Sequence, residues 1–254
     1  MNRIIAIASC ALICAAALTT TSCSSSKSVS VETVVQKPSV VRNFSVRGFS
    51  EVDAGYHFNV EITTGAEYSV AVEAPEAYFQ YLAVAKNGKS LDIGWNTNDN
   101  AILRQLLKKV DVTVTMPVIN KATAHGQSQF TLRGTGFGDK LAFETTGQAR
   151  LTIIDNIATT QLSVGTSGQS VFRCKDVTAA DINAGCSGQS VANLGFVTAT
   201  DVSLTTSGQS AINIATCKAD ALNADASGQS AINIPTSDIR SLSRSTSGQS
   251  AINL

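Results

Sequence analysis

The sequence predicts an all-β protein, a parallel β-helix with a β-rich segment in front of it. A Gly-Gln pair occurs seven times at intervals of 20 or 21 residues, and its glycine stands at positions 126, 147, 168, 188, 208, 228 and 248. Repetition at a fixed period of this size is typical of solenoids, in which each repeat forms one coil. Apolar and polar residues alternate on both sides of each pair, which favours strands over helices.

Columns of equivalent residues predict the inside and the outside of the coils. Counted from the glycine, positions −6, +4 and +6 are mostly Leu, Ile, Val or Phe, and position +2 is always Ser or Ala. Position +5 is polar in every copy. One coil cannot bury its apolar face alone, whereas stacked coils share a continuous core. We therefore expect the apolar columns and the small +2 column to point inward and position +5 to face water.

Residues 1–22 are predicted to be a signal peptide of the lipoprotein type. A short basic start at Arg3 is followed by an apolar run over residues 4–18. That run is shorter than the roughly 20 residues that a membrane-spanning helix needs, so a secretory signal is the better interpretation. Residues 23–40 are rich in Ser, Val and Lys and are expected to form a tether to the folded part.

Cys23 is the predicted lipidation site. It follows small residues, as does the cysteine that becomes the lipidated first residue of bacterial lipoproteins. Such sites usually have Leu three residues earlier, where this chain has Thr20, so ordinary cleavage beside a chance cysteine is the alternative. The expected partner is thus the outer membrane, through a lipid anchor. The sequence after Cys23, Ser-Ser-Ser-Lys, has no acidic cluster of the kind that often marks surface export, which favours the periplasm over the cell surface.

The folded region divides into a β-rich segment at 41–118 and seven repeats at 119–254. The first part contains alternating apolar and polar stretches at 44–49, 56–62, 68–72, 91–95 and 111–117. These stretches predict half-buried strands, and Asn87-Gly88 predicts a tight turn between two of them. Short helices are expected at 75–82 and 101–109.

The region from 41 to 254 resembles a known family. Arg47-Gly48-Phe49-Ser50, a strand that ends in Met116-Pro117, and glycine-rich coils with Ala-Ile-Asn-Ile phrases are similar to the auto-transporter adhesin "head GIN" domain of exported Bacteroidetes-type proteins. The resemblance implies a right-handed β-helix, a location in the cell envelope, and adhesion. It brings no catalytic or binding residues with it.

Two polar columns are candidate binding features. The first is the glutamine that follows each repeated glycine, and the second is the asparagine at +5 in the last four coils; they comprise Gln127, Gln148, Gln169, Gln189, Gln209, Gln229, Gln249, Asn193, Asn213, Asn233 and Asn253. Aligned amides could bind a polysaccharide along the rod, or could hydrogen-bond to one another as ladders without any ligand; the ladder is the favoured interpretation. Trp95, Tyr78 and Tyr81 could form a small aromatic patch of the kind that sugar sites use.

Several other functions are disfavoured. Nineteen basic and nineteen acidic residues leave no net charge to attract nucleic acid. His57 and His125 have no partner at ligand spacing, and Asp181 and Asp201 share a column that holds no other acid, so we predict no metal or cofactor. Ser128 lies near His125 but belongs to the small +2 column, and we predict no catalytic residue.

The sequence thus predicts a non-catalytic envelope lipoprotein that serves as an adhesin, another binding module or a structural component, with a glycan or a protein as its unidentified ligand. A polysaccharide-cleaving β-helix enzyme is the alternative.

Cys174, Cys186 and Cys217 fall in different columns, which favours buried free thiols over one disulfide bridge. The last coil ends in mid-strand at Leu254, and its uncovered edge could join two copies of the chain.

Overall fold

The structure is a computed structural model that describes residues 38–106 and 108–254. The predicted signal peptide, Cys23 and most of the tether lie outside these residues. The described chain is almost entirely β-structure, and most of its strands pair in parallel between successive coils. The predicted all-β parallel β-helix is therefore confirmed.

The described residues form twenty strands, one 3₁₀ turn and one short helix. The strands of the N-terminal segment are β1 (Ser39–Asn43), β2 (Glu51–Ala54), β3 (Phe58–Thr64), β4 (Ser69–Pro75), β5 (Leu82–Asn87), β6 (Ser90–Trp95) and β7 (Val110–Met116). The repeats contain β8 (Ile119–Ala124), β9 (Gln129–Arg133), β10 (Phe137–Thr145), β11 (Arg150–Ile153), β12 (Ile157–Ala158), β13 (Gln161–Thr166), β14 (Val171–Arg173), β15 (Val177–Cys186), β16 (Val191–Thr206), β17 (Ala211–Gly228), β18 (Ala231–Asn233), β19 (Ser237–Gly248) and β20 (Ala251–Asn253).

Each later coil has three faces. Strand β16 shows them in order, because its residues 191–193, 197–199 and 201–206 all pair in register with β17, one coil further on. We call the face formed by 201–206 and its equivalents the first face. The Gly-Gln turn follows it, the second face comes next (211–213 and equivalents), and the third face (217–219 and equivalents) completes the coil. The turn therefore lies at the corner between the first and second faces.

The inside of the coils is filled as the columns predict. Positions −6, +4 and +6 are buried in most coils, with Phe130, Leu151 and Phe172 at 1% exposure or less. Phe143 stacks on Phe172 with ring centroids 5.8 Å apart. The last coil is the exception, since Leu242 is 47% exposed whereas Leu222 beneath it is 1% exposed. Stacking on both sides is thus what buries a coil.

Buried serines at +2 close the turns as well as filling space. In most coils the serine hydroxyl lies 2.8–2.9 Å from the carbonyl oxygen three residues earlier, as Ser190 does with Ser187. It also approaches a carbonyl of the preceding coil, 3.1 Å away in the case of Ser190 and Thr166. Because a buried carbonyl without a partner is costly, serine suits this column better than alanine.

The N-terminal segment extends the stack, and it does so out of chain order. Strand β2 pairs in parallel with β6 on one side and with β8 on the other. Strand β3 is likewise placed between β7 and β9. Two further layers of parallel strands therefore precede the first Gly-Gln repeat, and the segment 41–118 shares one continuous sheet with the repeats.

Antiparallel strands cover the N-terminal edge of this stack. Strand β5 pairs with β6, β4 pairs with β7, and β1 pairs with β4, all antiparallel. Arg42 of β1 forms an ion pair with Glu76 and lies over the ring of Phe79, 4.4 Å from its centroid. Covering the edge in this way removes a row of backbone groups that could otherwise pair with another chain.

The two predicted helices are much shorter in the structure. The 75–82 stretch forms only a 3₁₀ turn at Glu76–Tyr78. The four-residue helix α1 (Asn100–Leu103) covers only the beginning of the 101–109 stretch. The side chain of Asp99 caps α1 by accepting from the Ala101 N–H at 2.8 Å. Strand β5 begins at Leu82 and limits the first stretch, because its residues pair with β6.

The turn glycines are required for two reasons. All seven have a left-handed backbone, with φ between +68° and +78°. In addition, a Cβ on Gly228 would lie 2.9 Å from the carbonyl oxygen of Gly208 in the preceding coil. That oxygen accepts the N–H of Gln229 at 2.7 Å, so it cannot move away without breaking the contact between turns.

Replacing Gly228 by alanine should therefore destabilise the protein. The left-handed backbone alone should cost about 1–2 kcal/mol, and the collision with Gly208 adds to it. Gly185→Ala is the matched control, because a Cβ there meets nothing within 4 Å and the residue lies within strand β15. It should be neutral or stabilise by less than about 1 kcal/mol. Denaturant unfolding of both variants measures the difference, and equal losses would contradict the stacking argument.

Candidate functional site

A groove runs along the outside of the first face. It has a volume of about 630 Å³ and is lined by five successive coils, from Gln161 at one end to Ser243 at the other. At a strand spacing of about 4.8 Å, five coils give a length of roughly 19 Å. The groove is therefore long enough for an extended ligand that contacts several coils.

Small polar side chains line this groove. One column of outward-facing residues contributes Gln161, Asp181 and Asp201. The next outward-facing column, two residues further along each strand, contributes Ser163, Asn183, Ser203 and Asn223. Parallel pairing places these residues in register, as in the pairs Asp181 with Asp201 and Asn183 with Ser203. The surface presents hydroxyl, amide and carboxylate groups at regular intervals. It can form repeated hydrogen bonds to a ligand with a similar repeat.

A second depression lies beside the turn column on the same face. Its volume is about 380 Å³, and Gly165, Gly185 and Thr205 stand along it next to Ser167 and Ser187. The two glycines leave space, because a Cβ on Gly185 would have no neighbour within 4 Å and one on Gly165 would approach only Glu144, at 3.9 Å. Neither residue has a left-handed backbone. Stacking does not require glycine here, so these two glycines widen the outer surface.

The glutamine column forms a ladder of hydrogen bonds. From Gln148 to Gln249, each side-chain Nε2 donates to Oε1 of the glutamine in the next coil, at 2.9–3.1 Å. The favoured interpretation of this column is thus confirmed from its second member onward. Each inner amide still has one N–H and one lone pair of its oxygen outside the ladder.

The asparagine column forms a second ladder with the opposite direction. The Nδ2 groups of Asn213, Asn233 and Asn253 donate to the asparagine of the preceding coil, at 2.7–2.9 Å. The two ladders border the second face, one at the turn and one within the strand. Both columns serve first to hold coils together.

The predicted aromatic patch is partly core and partly pocket. Trp95 packs against Phe58 and Tyr78, with ring centroids 5.0 and 5.8 Å apart, and Tyr78 is buried. Tyr81 is half-buried in the same region. Trp95 also lines a pocket of about 330 Å³ together with Tyr56 and Arg104. Sequence reasoning missed Tyr56, because its role depends on the register of strands that lie far apart in the chain.

The two histidines belong to different environments. His125 Nε2 lies 3.1 Å from Asp53 Oδ1 and links strand β2 to the end of β8. The hydrogen bond to Asp53 raises the pKa of His125, although partial burial opposes the shift. His57 lines the pocket beside Trp95. The described residues contain no group of three or more His, Cys, Asp or Glu side chains that could hold a metal ion.

The arrangement around Ser128 does not resemble a catalytic triad. Its hydroxyl is buried and donates to the carbonyl of Ala54 at 3.3 Å. His125 is paired with Asp53, and the Ser128 hydroxyl donates to a backbone carbonyl and not to this histidine. The serine therefore serves the turn, as its equivalents in other coils do.

All three cysteines of the repeats are free thiols, as the sequence favours. Cys186 and Cys217 are buried, and Cys174 is half-buried. Burial raises the pKa of Cys217 to about 11, and burial together with the nearby carboxylate of Asp176 raises that of Cys174 to about 12. Burial also raises the pKa of Cys186. The thiols stay protonated at neutral pH and act as small apolar residues of the core.

Comparison with known proteins identifies the family. The family described as "Putative auto-transporter adhesin, head GIN domain" matches residues 48–253. The chain belongs to this family. The resemblance inferred from the sequence is therefore confirmed. A search of the curated proteins finds no match.

Solved structures share the fold of this head GIN domain. A protein of Bacteroides fragilis called a "putative adhesin" is 19% identical, with a TM-score of 0.67 over 85% of this chain and 97% of its own. Another protein with this name, from Parabacteroides distasonis, is 12% identical, with a TM-score of 0.69 over 86% and 98%. A third, from Parabacteroides distasonis, is called a "putative lipid binding protein"; it is 14% identical, with a TM-score of 0.66 over 86% and 97%.

Within the described part of this head GIN domain, no helix has the length and apolar character needed to cross a bilayer.

The pair of His125 and Asp53 should make stability depend on pH. Because the folded pKa of His125 is raised, the pair stabilises the fold below about pH 6.5, and this contribution is lost as the pH rises through the folded pKa. Both side chains are about two-fifths exposed, at 43% and 40%, so the effect should stay below about 1 kcal/mol.

Urea unfolding at pH 5.5 and pH 8 measures this effect. The wild type should be more stable relative to His125→Gln at the lower pH than at the higher one. Asp53→Asn should remove the same pH-dependent part, since it removes the other member of the pair. An unchanged difference between the two pH values would contradict the pairing.

Proposed function

We propose that this head GIN protein is an exported, lipid-anchored binding module of the cell envelope that holds an extended glycan along the first-face groove. The observation that carries the proposal is the groove itself, which presents small polar side chains from five successive coils. The names of the structural neighbours support adhesion or ligand binding over catalysis.

The chemistry of the groove favours a glycan. Its columns offer serine hydroxyls, asparagine amides and two carboxylates, which can donate to and accept from sugar hydroxyls. One neighbour is called a lipid-binding protein, but a lipid tail needs an apolar cavity. The inward positions of the described coils are filled by Phe, Leu, Ile and Val side chains. A protein segment that lies along the groove is the other outcome of the test.

Filling the groove should abolish binding. Ser203→Arg places a long side chain in the middle of the groove, whereas Thr198→Arg places the same side chain on the exposed third face of the same strand. Wild-type residues 38–254 and both variants are tested on a glycan array and by pull-down from envelope extracts. We expect a glycan ligand that Ser203→Arg loses and Thr198→Arg retains. A ligand retained by both variants would place the contact elsewhere.

Cys23 is proposed to hold the protein at the outer membrane. Cys23→Ser removes the thiol that would carry the lipid, so the protein should move from the membrane fraction to the soluble fraction of fractionated cells. Metabolic labelling with a radioactive fatty acid should mark the wild type and not the variant. Labelling that persists in the variant would contradict the anchor, and retention in the membrane without labelling would indicate another attachment.

The side of the outer membrane that the protein faces decides between two roles. Protease treatment of intact cells degrades a surface protein and spares a periplasmic one. Surface exposure suits adhesion, whereas a periplasmic position suits a structural role in the envelope. The expected contact between copies through the last coil also stays a prediction, and Leu242 and Leu254 are large apolar residues exposed on that coil.

A polysaccharide-cleaving enzyme remains the alternative because Asp181 and Asp201 line the groove. Glycosidases place two carboxyl groups on either side of the bond that is cleaved. Asp181 and Asp201 are register partners in one column, so both rise from the same surface of the sheet. Their arrangement fits ligand binding better than cleavage. Release of reducing ends from a bound glycan, lost in Asp201→Asn, would support the enzyme.

A further inference from the structure

The pocket beside Trp95 lies where the Gly-Gln turn column ends. Strand pairing aligns Ala54 with Ala124 and Asn59 with Gln129, so Tyr56 occupies the column of Gly126 and His57 that of Gln127. The N–H of Gln127 donates to the Tyr56 carbonyl at 2.6 Å, as later glutamines donate to glycines. The turn at residues 55–57 is therefore the first member of the column, although it contains no Gly-Gln pair.

Tyr56 adopts a backbone conformation that glycine takes in the other turns. Its φ is +55°, and among residues 38–106 and 108–254 it is the one non-glycine residue with positive φ. In the layer beneath, formed by β6 and β7, the pairing with β2 ends at Ile93 and the pairing with β3 begins at Val110. A much longer connection therefore replaces the turn there, and a side chain fits at Tyr56. Glycine would adopt the same backbone at lower cost. The ring, which is 41% exposed and lines the pocket, offers a reason for tyrosine.

The opposite wall of the pocket is anchored to the body of the protein. Leu106 of the loop is buried, and the hydroxyl of Tyr78 donates to the carbonyl of Gln105 at 2.9 Å. Trp95 is packed on Phe58 of the core. The pocket is thus formed before any ligand arrives, which lowers the cost of ordering its walls on binding.

We propose that this pocket binds a sugar that carries a carboxylate group. Tyr56 and Trp95 supply aromatic surface for the ring of the sugar, and Asn100 and His57 supply polar groups for its hydroxyls. Arg104 is exposed at the rim, and among the described residues it forms no ion pair, so its guanidinium is available to a carboxylate. The volume of about 330 Å³ is at the small end of ligand pockets and suits one sugar unit.

Trp95 provides a direct signal for this binding, because it is the single tryptophan of the sequence. Its fluorescence is titrated with glucuronate, with glucose, and with acetate at matched ionic strength. Glucuronate should give a saturable change, and the other two should give none. Arg104→Gln should weaken glucuronate binding about tenfold or more, and Arg150→Gln, a change of an exposed arginine in β11, should not.

Tyr56→Gly separates a binding role of the ring from a structural one. Loss of the left-handed strain should raise Tm by about 2–4 °C, while the affinity for glucuronate falls. A lower Tm would show that the ring serves packing and would overturn the proposal. No saturable change with glucuronate, or an equal change with glucose or acetate, would overturn it as well.

Binding of a carboxylated sugar in the pocket and binding of a glycan in the groove can be tested separately. Ser203→Arg lies on the first face and should leave the Trp95 titration unchanged. Tyr56→Gly should leave groove binding unchanged, unless one acidic glycan contacts both surfaces. A glycan whose binding falls in each variant would show that the pocket selects an acidic unit of the ligand that the groove holds.

Discussion

The backbone contact between successive turns determines the rest of this structure. From Gln148 onward, the N–H after each turn glycine donates to the carbonyl of the glycine in the preceding turn, at 2.6–2.7 Å. Such a short approach leaves no room for a Cβ, so the column must be glycine wherever one turn lies on another. Because each turn fixes the position of the next, the flanking strands stay in register. The core columns and both amide ladders then follow from that register.

Because the strands of successive coils are in register, surface side chains can hydrogen-bond from one coil to the next and help to hold the coils together. Exposed amides normally hydrogen-bond to water, but identical amides one strand spacing apart can bond to each other. The Gln and Asn ladders run in opposite directions, so their side-chain dipoles partly cancel along the rod. The buried serines add a third row, which joins each turn to the coil before it. In a chain with only 15% charged residues, neutral hydrogen bonds thus add to the apolar core in holding the coils together.

The repeats could be predicted from the sequence because each column repeats its own chemistry. The periods of 20 and 21 residues, the apolar columns and the glutamine ladder are all local patterns. The two N-terminal layers could not be predicted in this way. The turn at Tyr56 carries neither glycine at the column position nor glutamine after it, and β2 lies between strands that are separated from it in the chain. Its place in the stack depends on tertiary pairing, which periodicity does not report.

A solenoid can place a specific site where its repeat is interrupted. Within the repeats, columns such as the glutamine ladder present the same group in successive coils, which suits an extended ligand but cannot select one unit of it. To bind one unit of a ligand selectively, the solenoid needs a residue that differs from the equivalent residues in its other coils. Tyr56 differs from a column of glycines, and it does so where the layer beneath has no turn and a side chain fits. Gly165 and Gly185 differ from their column in the opposite way, because they lack a side chain where stacking would allow one. They therefore leave extra space on the outer surface. Breaks in the repeat, more than the repeat itself, are therefore where this fold can distinguish one ligand from another.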